Sequence, residues 1–228
     1  MPKLLLIPTP IGNLDDVSPR VREALANADV LLAEDTRHTG KLLSLLGLKN
    51  KMVSYHKFNE HRQLEHFIDL IQEHNLVGLV SDAGTPGISD PGFLLVKHCV
   101  ENEIEVECLP GPTAFVPALV VSGLPCDRFC FEGFLPVKKG RKKRLESLKE
   151  EKRTMVFYES PYRIGKCLEE FAGYFGSDRQ ASVSRELSKK FEETRRADLK
   201  TLAEHFSGSK NKGEFVVVVE GKKEDQDK

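Results

Sequence analysis

Residues 76–92 read LVGLVSDAGTPGISDPG. Leu76–Val80 is a compact apolar run of strand length. Residues 82–92, which follow it, hold three glycines and two prolines, too many for strand or helix to continue. Glycine lets the backbone approach a ligand closely and proline holds the chain still, so such a loop presents fixed N–H and C=O groups to a small molecule. Asp90 and Pro91 then form a cap and first-turn pair for a helix running to about Val100.

The same alternation extends in both directions. Upstream, residues 63–74 put Leu64, Phe67, Ile68 and Ile71 on one helical stripe. Residues 4–7 read as a buried strand that runs into a Pro/Gly loop at 8–14, and Ser18 with Pro19 begins a helix. Val30–Ala33 is a further strand, and the helix after it carries Leu42, Leu43, Leu45 and Leu46 before Gly47 closes it. Downstream, a strand at 104–108 leads into a third Pro/Gly loop at 110–114. Strands separated by helices imply a parallel, helix-covered sheet whose ligand crevice lies at the strand C-termini, which brings the three loops to one rim. From Phe129 the elements shorten: strands at 129–134, 155–158, 181–185 and 215–219, helices at 161–171 and 198–206. The reading is α/β throughout, with domains at 1–122 and 123–221, a join near 122–128, and a frayed tail at 222–228.

Composition bounds the function. The chain has 228 residues, 39% hydrophobic and 30% charged, with a formal net charge of −1, so its overall charge does not attract polyanions and any such site must be local. The dense basic run is Lys138-Lys139-Gly140-Arg141-Lys142-Lys143-Arg144. The longest apolar runs are far too short to cross a bilayer and no signal-like N-terminus is present, which implies a cytoplasmic protein. The five cysteines, Cys99, Cys108, Cys126, Cys130 and Cys167, form no CxxC and read as buried reduced thiols. His56, His61 and His66 are spaced by five, which does not stack them on a helix face, so no metal is expected. No GxGxxG and no GxxxxGK[ST] occurs, which disfavours a dinucleotide or a nucleoside triphosphate.

Nine strings, IPTPIGNLDD, EDTRHTGKLL, SYHKFNE, SDAGTPGISDPG, PGPTAFVPALVVSGL, FEGFLP, VFYESPYRI, SRELSKKFEE and GEFVVVVEG, run in order from about Leu4 to Gly221. Together they resemble the ribosomal RNA small subunit methyltransferase I family, a branch of the tetrapyrrole-methylase-like enzymes. The resemblance implies S-adenosylmethionine-dependent 2′-O-methylation of a cytidine ribose in the decoding region of small-subunit rRNA, as free rRNA or in the 30S particle. It also implies a homodimer of two-domain subunits, the first with a mostly parallel sheet, the second with a mixed one, and the cofactor in the cleft between them. Carried over by motif, the cofactor contacts are Pro10, Gly12, Asp82, Ala83, Gly84, Pro86, Ile88, Pro112, Thr113 and Ala114, then Tyr158, Leu187 and Glu214. Longer relatives carry a small helical domain after the GEF-type strand.

A ribose hydroxyl is a poor nucleophile until its proton leaves, so a base is sought near the rim. Glu34-Asp35-Thr36-Arg37-His38 follows a predicted strand, which makes Asp35 the leading base and Arg37 the group that organises ribose and phosphate; helix capping by Asp35 and a surface ion pair by Arg37 is the competing reading. Lys189 is the alternative base. His56 and Lys57 border the RNA approach, and Arg141, Lys142 and Arg144 are expected to neutralise phosphate. The rivals are a C-methyltransferase acting on a tetrapyrrole, which would share the cofactor loops, and a non-catalytic RNA-binding assembly module, which would leave those loops idle.

Overall fold

The computed structural model describes residues 1–208 and 211–223. It divides the chain into two compact units, Met1–Thr113 and the remainder from Ala114.

The first unit runs β1 (Lys3–Leu6), a 3-10 turn (Leu14–Asp16), α1 (Pro19–Asn27), β2 (Val30–Ala33), α2 (Thr36–Leu45), β3 (Met52–Ser54), α3 (Leu64–Gln72), β4 (Leu76–Val80), α4 (Phe93–Glu101) and β5 (Glu105–Cys108). Its strands are all parallel in the order β3-β2-β4-β1-β5. Strand alternation distributes the apolar residues to both faces. Leu4, Leu6, Val30, Leu32, Val77 and Leu79 pack with Phe67, Ile68 and Ile71 of α3 and Leu95 of α4. Leu5, Ile7, Leu31 and Ala33 pack with Leu25 of α1 and Leu42 and Leu43 of α2. Ser18 caps α1 as expected, its hydroxyl accepting from Val21 N at 3.2 Å.

The second unit runs α5 (Phe115–Ser122), β6 (Phe129–Phe134), α6 (Arg141–Leu148), β7 (Thr154–Glu159), α7 (Ile164–Phe175), β8 (Gln180–Arg185), β9 (Glu193–Asp198), α8 (Leu199–Phe206) and β10 (Phe215–Val219). The sheet order is β6-β7-β10-β8-β9, with β6–β7 parallel and the other pairs antiparallel. One face carries the core of this unit: Met155, Phe157, Val183, Val217 and Val219 meet Leu168 and Phe171 of α7 and Leu202 and Phe206 of α8.

Several expectations change. Helix α5 packs on β7, β8, β9 and β10, so it belongs to the second unit and the division falls at Thr113/Ala114 instead of near residue 122. The basic run forms helix α6 from Arg141 onward, and ETRRAD, too polar to read as a strand, is edge strand β9. Asp90 does not cap α4; Gly92 occupies that position. Cys99 and Cys167 are buried, whereas Cys108 and Cys126 are exposed. Among the described residues no helix is long and apolar enough to cross a membrane. Of the expected frayed tail, residues 224–228 lie outside the described residues.

Candidate active site

In the first unit the three Pro/Gly loops do meet at the C-terminal ends of the parallel strands. Thr9 and Gly84 form an isolated antiparallel bridge, with N–O distances of 2.9 and 3.0 Å. The Thr9 hydroxyl donates to Ser81 O at 3.1 Å, and Thr85 Oγ1 donates to Pro112 O at 3.0 Å. A Cβ placed on Gly111 would lie 2.4 Å from Pro8 Cβ, so only glycine allows the first and third loops to touch. A fourth loop joins through Asp35 N, which donates to Asp82 Oδ1 at 3.1 Å. Pro10, Asp82, Ile88, Pro112 and Thr113 are half-buried along this rim, Gly12 and Ala83 are exposed, and Gly84 and Pro86 are buried; Ala114 instead sits at the N-cap of α5.

The electrostatics of the rim set its carboxylates apart. Asp35 is the N-cap of α2: its carboxylate accepts from Arg37 N at 2.9 Å and from the Arg37 guanidinium at 3.0 and 2.6 Å. The Arg37 guanidinium holds the Asp35 carboxyl far below the usual carboxylate range, which makes it a weak base. The competing reading of this pair, cap plus ion pair, is the one seen. Glu34 and Asp90, which composition did not single out, behave oppositely. Burial, then the charge of Asp82, raises Glu34. Burial, then the charge of Glu34, pushes Asp90 up to about 7, against an opposing hydrogen bond from Ser81. Three carboxylates from two adjacent strand ends thus converge, and among the described residues none of them forms an ion pair. No sequence spacing reveals this, because residues 34 and 90 meet only through the parallel pairing of β2 with β4.

His56 and Lys57 follow β3 on the same rim, near enough to favour the charged form of Glu34. Phe58 N donates to His56 Nδ1 at 3.2 Å, and His56 N donates to Asn59 at 2.8 Å.

In the second unit, register brings Tyr158, Leu187 and Glu214 to one end of the sheet, since Phe215 opposes both Glu159 and Arg185. The loop after β8 is knotted to the start of β10. Glu186 N donates to Glu214 O at 3.0 Å, and Glu214 N donates to Glu186 Oε1 at 3.1 Å. Lys189 Nζ donates to Glu186 at 3.0 Å and to Glu214 at 2.7 Å. Burial works to lower the Lys189 ammonium, but the Glu214 and Glu186 carboxylates outweigh it and leave the pKa raised. An ammonium held by two carboxylates keeps its proton, which disfavours Lys189 as the base. Leu187 is buried between Glu186 and Ser188, both in left-handed conformations at φ 54° and 63°.

The basic run divides as well. Arg141 is buried and donates to Glu170 at 2.7 Å, with Glu159 3.9 Å away. Arg144 donates to Glu132 at 2.7 Å. Both arginines are engaged inside the unit, because a guanidinium can satisfy a carboxylate in partly dry surroundings. Lys142, with Lys138, Lys139 and Lys143, is exposed, and among the described residues these four form no ion pair.

Residues 3–203 match the family model of Tetrapyrrole (Corrin/Porphyrin) Methylases. The chain is 46% identical over 219 residues to the ribosomal RNA small subunit methyltransferase I of Synechocystis sp., covering 96% of this chain and 78% of the relative. To the protein of the same name from Thermotoga maritima it is 42% identical over 222 residues, covering 97% of this chain and 100% of the relative. A solved uroporphyrin-III C-methyl transferase of Thermus thermophilus, complexed with S-adenyl homocysteine, shares the fold with a TM-score of 0.64 at 18% identity, covering 96% of this chain and 97% of that one. With the family model matched over residues 3–203 and identity sustained along nearly its whole length, the chain belongs to the tetrapyrrole (corrin/porphyrin) methylases, within their ribosomal RNA small subunit methyltransferase I family.

Proposed function

We propose that the chain transfers a methyl group from S-adenosylmethionine to the ribose 2′-hydroxyl of a cytidine in small-subunit rRNA. The observation that carries the reading is the identity of 42–47% over at least 96% of the chain to relatives named ribosomal RNA small subunit methyltransferase I. When bound, the cofactor supplies a methyl already activated on a sulfonium, so alignment is most of what the protein must provide. The rim suits such a ligand. Ala83 offers exposed loop backbone, Pro10 and Ile88 offer half-buried apolar surface, and three carboxylates without ion pairs complement a molecule of net positive charge. Pro10, Gly12, Asp82, Ala83, Gly84, Pro86, Ile88, Pro112, Thr113, Ala114, Tyr158, Leu187 and Glu214 form the proposed cofactor set.

The ribose proton must move as the oxygen attacks. Asp90 and Glu34, whose carboxyls hold protons more tightly than ordinary carboxylates, replace Asp35 and Lys189 as acceptors in this reading. Arg37, with its side chain 89% exposed, faces phosphate together with His56, Lys57 and the four free lysines around α6. The working form is a cytoplasmic homodimer.

Transfer of labelled methyl to purified 30S particles, naked 16S rRNA and a tetrapyrrole, with the product digested to nucleosides, tests the reading. Label in 2′-O-methylcytidine is expected. Label on the tetrapyrrole alone would favour a C-methyltransferase, and cofactor-independent RNA binding without transfer would favour an assembly module; either result defeats the proposal.

A further inference from the structure

Strand β6 carries an aromatic face of which the proposed cofactor set takes only the neighbouring Tyr158. Phe129 and Phe131 share a face by alternation, but Phe134, three residues further on, would ordinarily point the other way. A β-bulge between Phe131 and Gly133 corrects this, with Gly133 at φ 58°, a conformation that favours glycine. After the bulge, Phe131 opposes Val156 and Phe134 opposes Tyr158, so all three phenylalanines lie on one face, while Cys130 packs into the core on the other. The rings make a continuous row. Phe134 lies 5.5 Å from Tyr158, Tyr158 5.1 Å from Phe131, Phe131 4.6 Å from Phe115, and Phe115 6.1 Å from Phe129, centroid to centroid. Phe134 is 53% exposed and Phe129 37% exposed.

Charge indicates what covers this row. Four residues beyond Phe134 begins the lysine-bearing turn, and an open groove of about 870 Å³ is lined there by Lys138, Lys142 and Lys143, with Glu146, itself paired to Lys149. Arg144, bound at 2.6 Å to Glu132 within the bulge, ties the first turn of the lysine-bearing helix α6 to β6. A polyanion carrying flat rings fits both features.

We propose that this ring row is a stacking platform for unpaired bases of an RNA strand, with Lys138, Lys142 and Lys143 neutralising its phosphates. The inference rests on RNA being the substrate and extends it to how the strand is held. Aromatic faces accept any base, so the platform supplies affinity for single-stranded RNA without choosing the sequence.

The chain contains no tryptophan, so Phe134→Trp introduces a single reporter, and Leu45→Trp on exposed α2 is its control. A short unpaired oligoribonucleotide of mixed sequence should quench the indole of Phe134→Trp and leave the control unchanged, whereas the same sequence as a duplex should quench neither. Phe134→Ala and Phe134→Leu should both weaken binding of the labelled unpaired oligonucleotide by at least about five-fold, the lower range for one lost stack. Recovery of binding in Phe134→Leu would mean ordinary apolar packing and overturn the platform. Quenching by S-adenosylmethionine in place of RNA would make the row a cofactor wall, and loss of self-association with RNA binding intact would make it a subunit contact; each overturns it. A wild-type protein that methylates small-subunit RNA yet shows no quenching refutes the platform alone. One that neither binds nor methylates RNA refutes the substrate as well.

Discussion

Asp90→Asn isolates the carboxylate that the fold has most perturbed at the rim. Its carboxyl titrates near 3.8 when unperturbed and is pushed to about 7 in the folded chain by burial and then by Glu34. Because the folded pKa is the higher one, the native state binds the proton more tightly. That contribution is complete below about pH 4 and is lost as pH rises through 7. At ~1.4 kcal/mol per pH unit, the ceiling over this interval is about 4 kcal/mol. Asp90 is only half-buried, so solvent screening reduces the expectation to roughly 1–2 kcal/mol. Asparagine keeps the shape and a hydrogen-bonding oxygen for Ser81 but cannot ionise. The variant should therefore match the wild type at pH 4 and exceed it in stability by that amount at pH 8. Urea denaturation followed by circular dichroism at the two pH values measures the difference, and hydrogen exchange of β4 peptides assigns it to the first unit. Equal stability at pH 8, or the same difference at both pH values, refutes the carboxylate crowding. If Asp90 also takes the ribose proton, single-turnover methyl transfer in the same variant falls ~10²–10⁴-fold.

Asp35→Asn should keep its cap, since asparagine serves that position as well as aspartate does, and should leave melting and single-turnover rate close to wild type; a loss of ~10²-fold or more would restore Asp35 as the base. Gly111→Ala, which drives a methyl against Pro8, should cost ~1–3 kcal/mol in thermal melts and weaken cofactor binding by calorimetry; wild-type values for both would mean that the loops are not closely docked. In the basic run, Arg141→Ala should destabilise the chain by ~3–5 kcal/mol by leaving Glu170 unpaired in partly buried surroundings. Lys142→Ala with Lys143→Ala should leave the melt unchanged and flatten the salt dependence of RNA binding, and an unchanged slope would remove these lysines from the phosphate contacts.

The residues that mark the fold could be read in one dimension because their signals are local. Ser18 and Pro19 announce α1, and Leu76–Val80 followed by a Gly/Pro loop announces β4 and its rim. Alternating apolar runs separated by amphipathic helices leave little choice but a parallel, doubly covered sheet. Elements without such a signal were not legible: ETRRAD forms an edge strand whose side chains stay partly solvated, and α5 joins the second unit through packing that no local pattern records.

Charge is where sequence and tertiary structure part. The sequence alone established which loops would gather, that family resemblance runs nearly end to end, and that a cluster of basic residues exists. Only the fold decided which charges are free. Asp35 and Lys189 are held by partners within the chain, Arg141 and Arg144 are spent on Glu170 and Glu132, and Asp90 is raised by burial and then by Glu34, a residue 56 positions away. A side chain's proton affinity depends on burial and on charges within a few ångströms, and those neighbours are set by strand pairing rather than by adjacency along the chain.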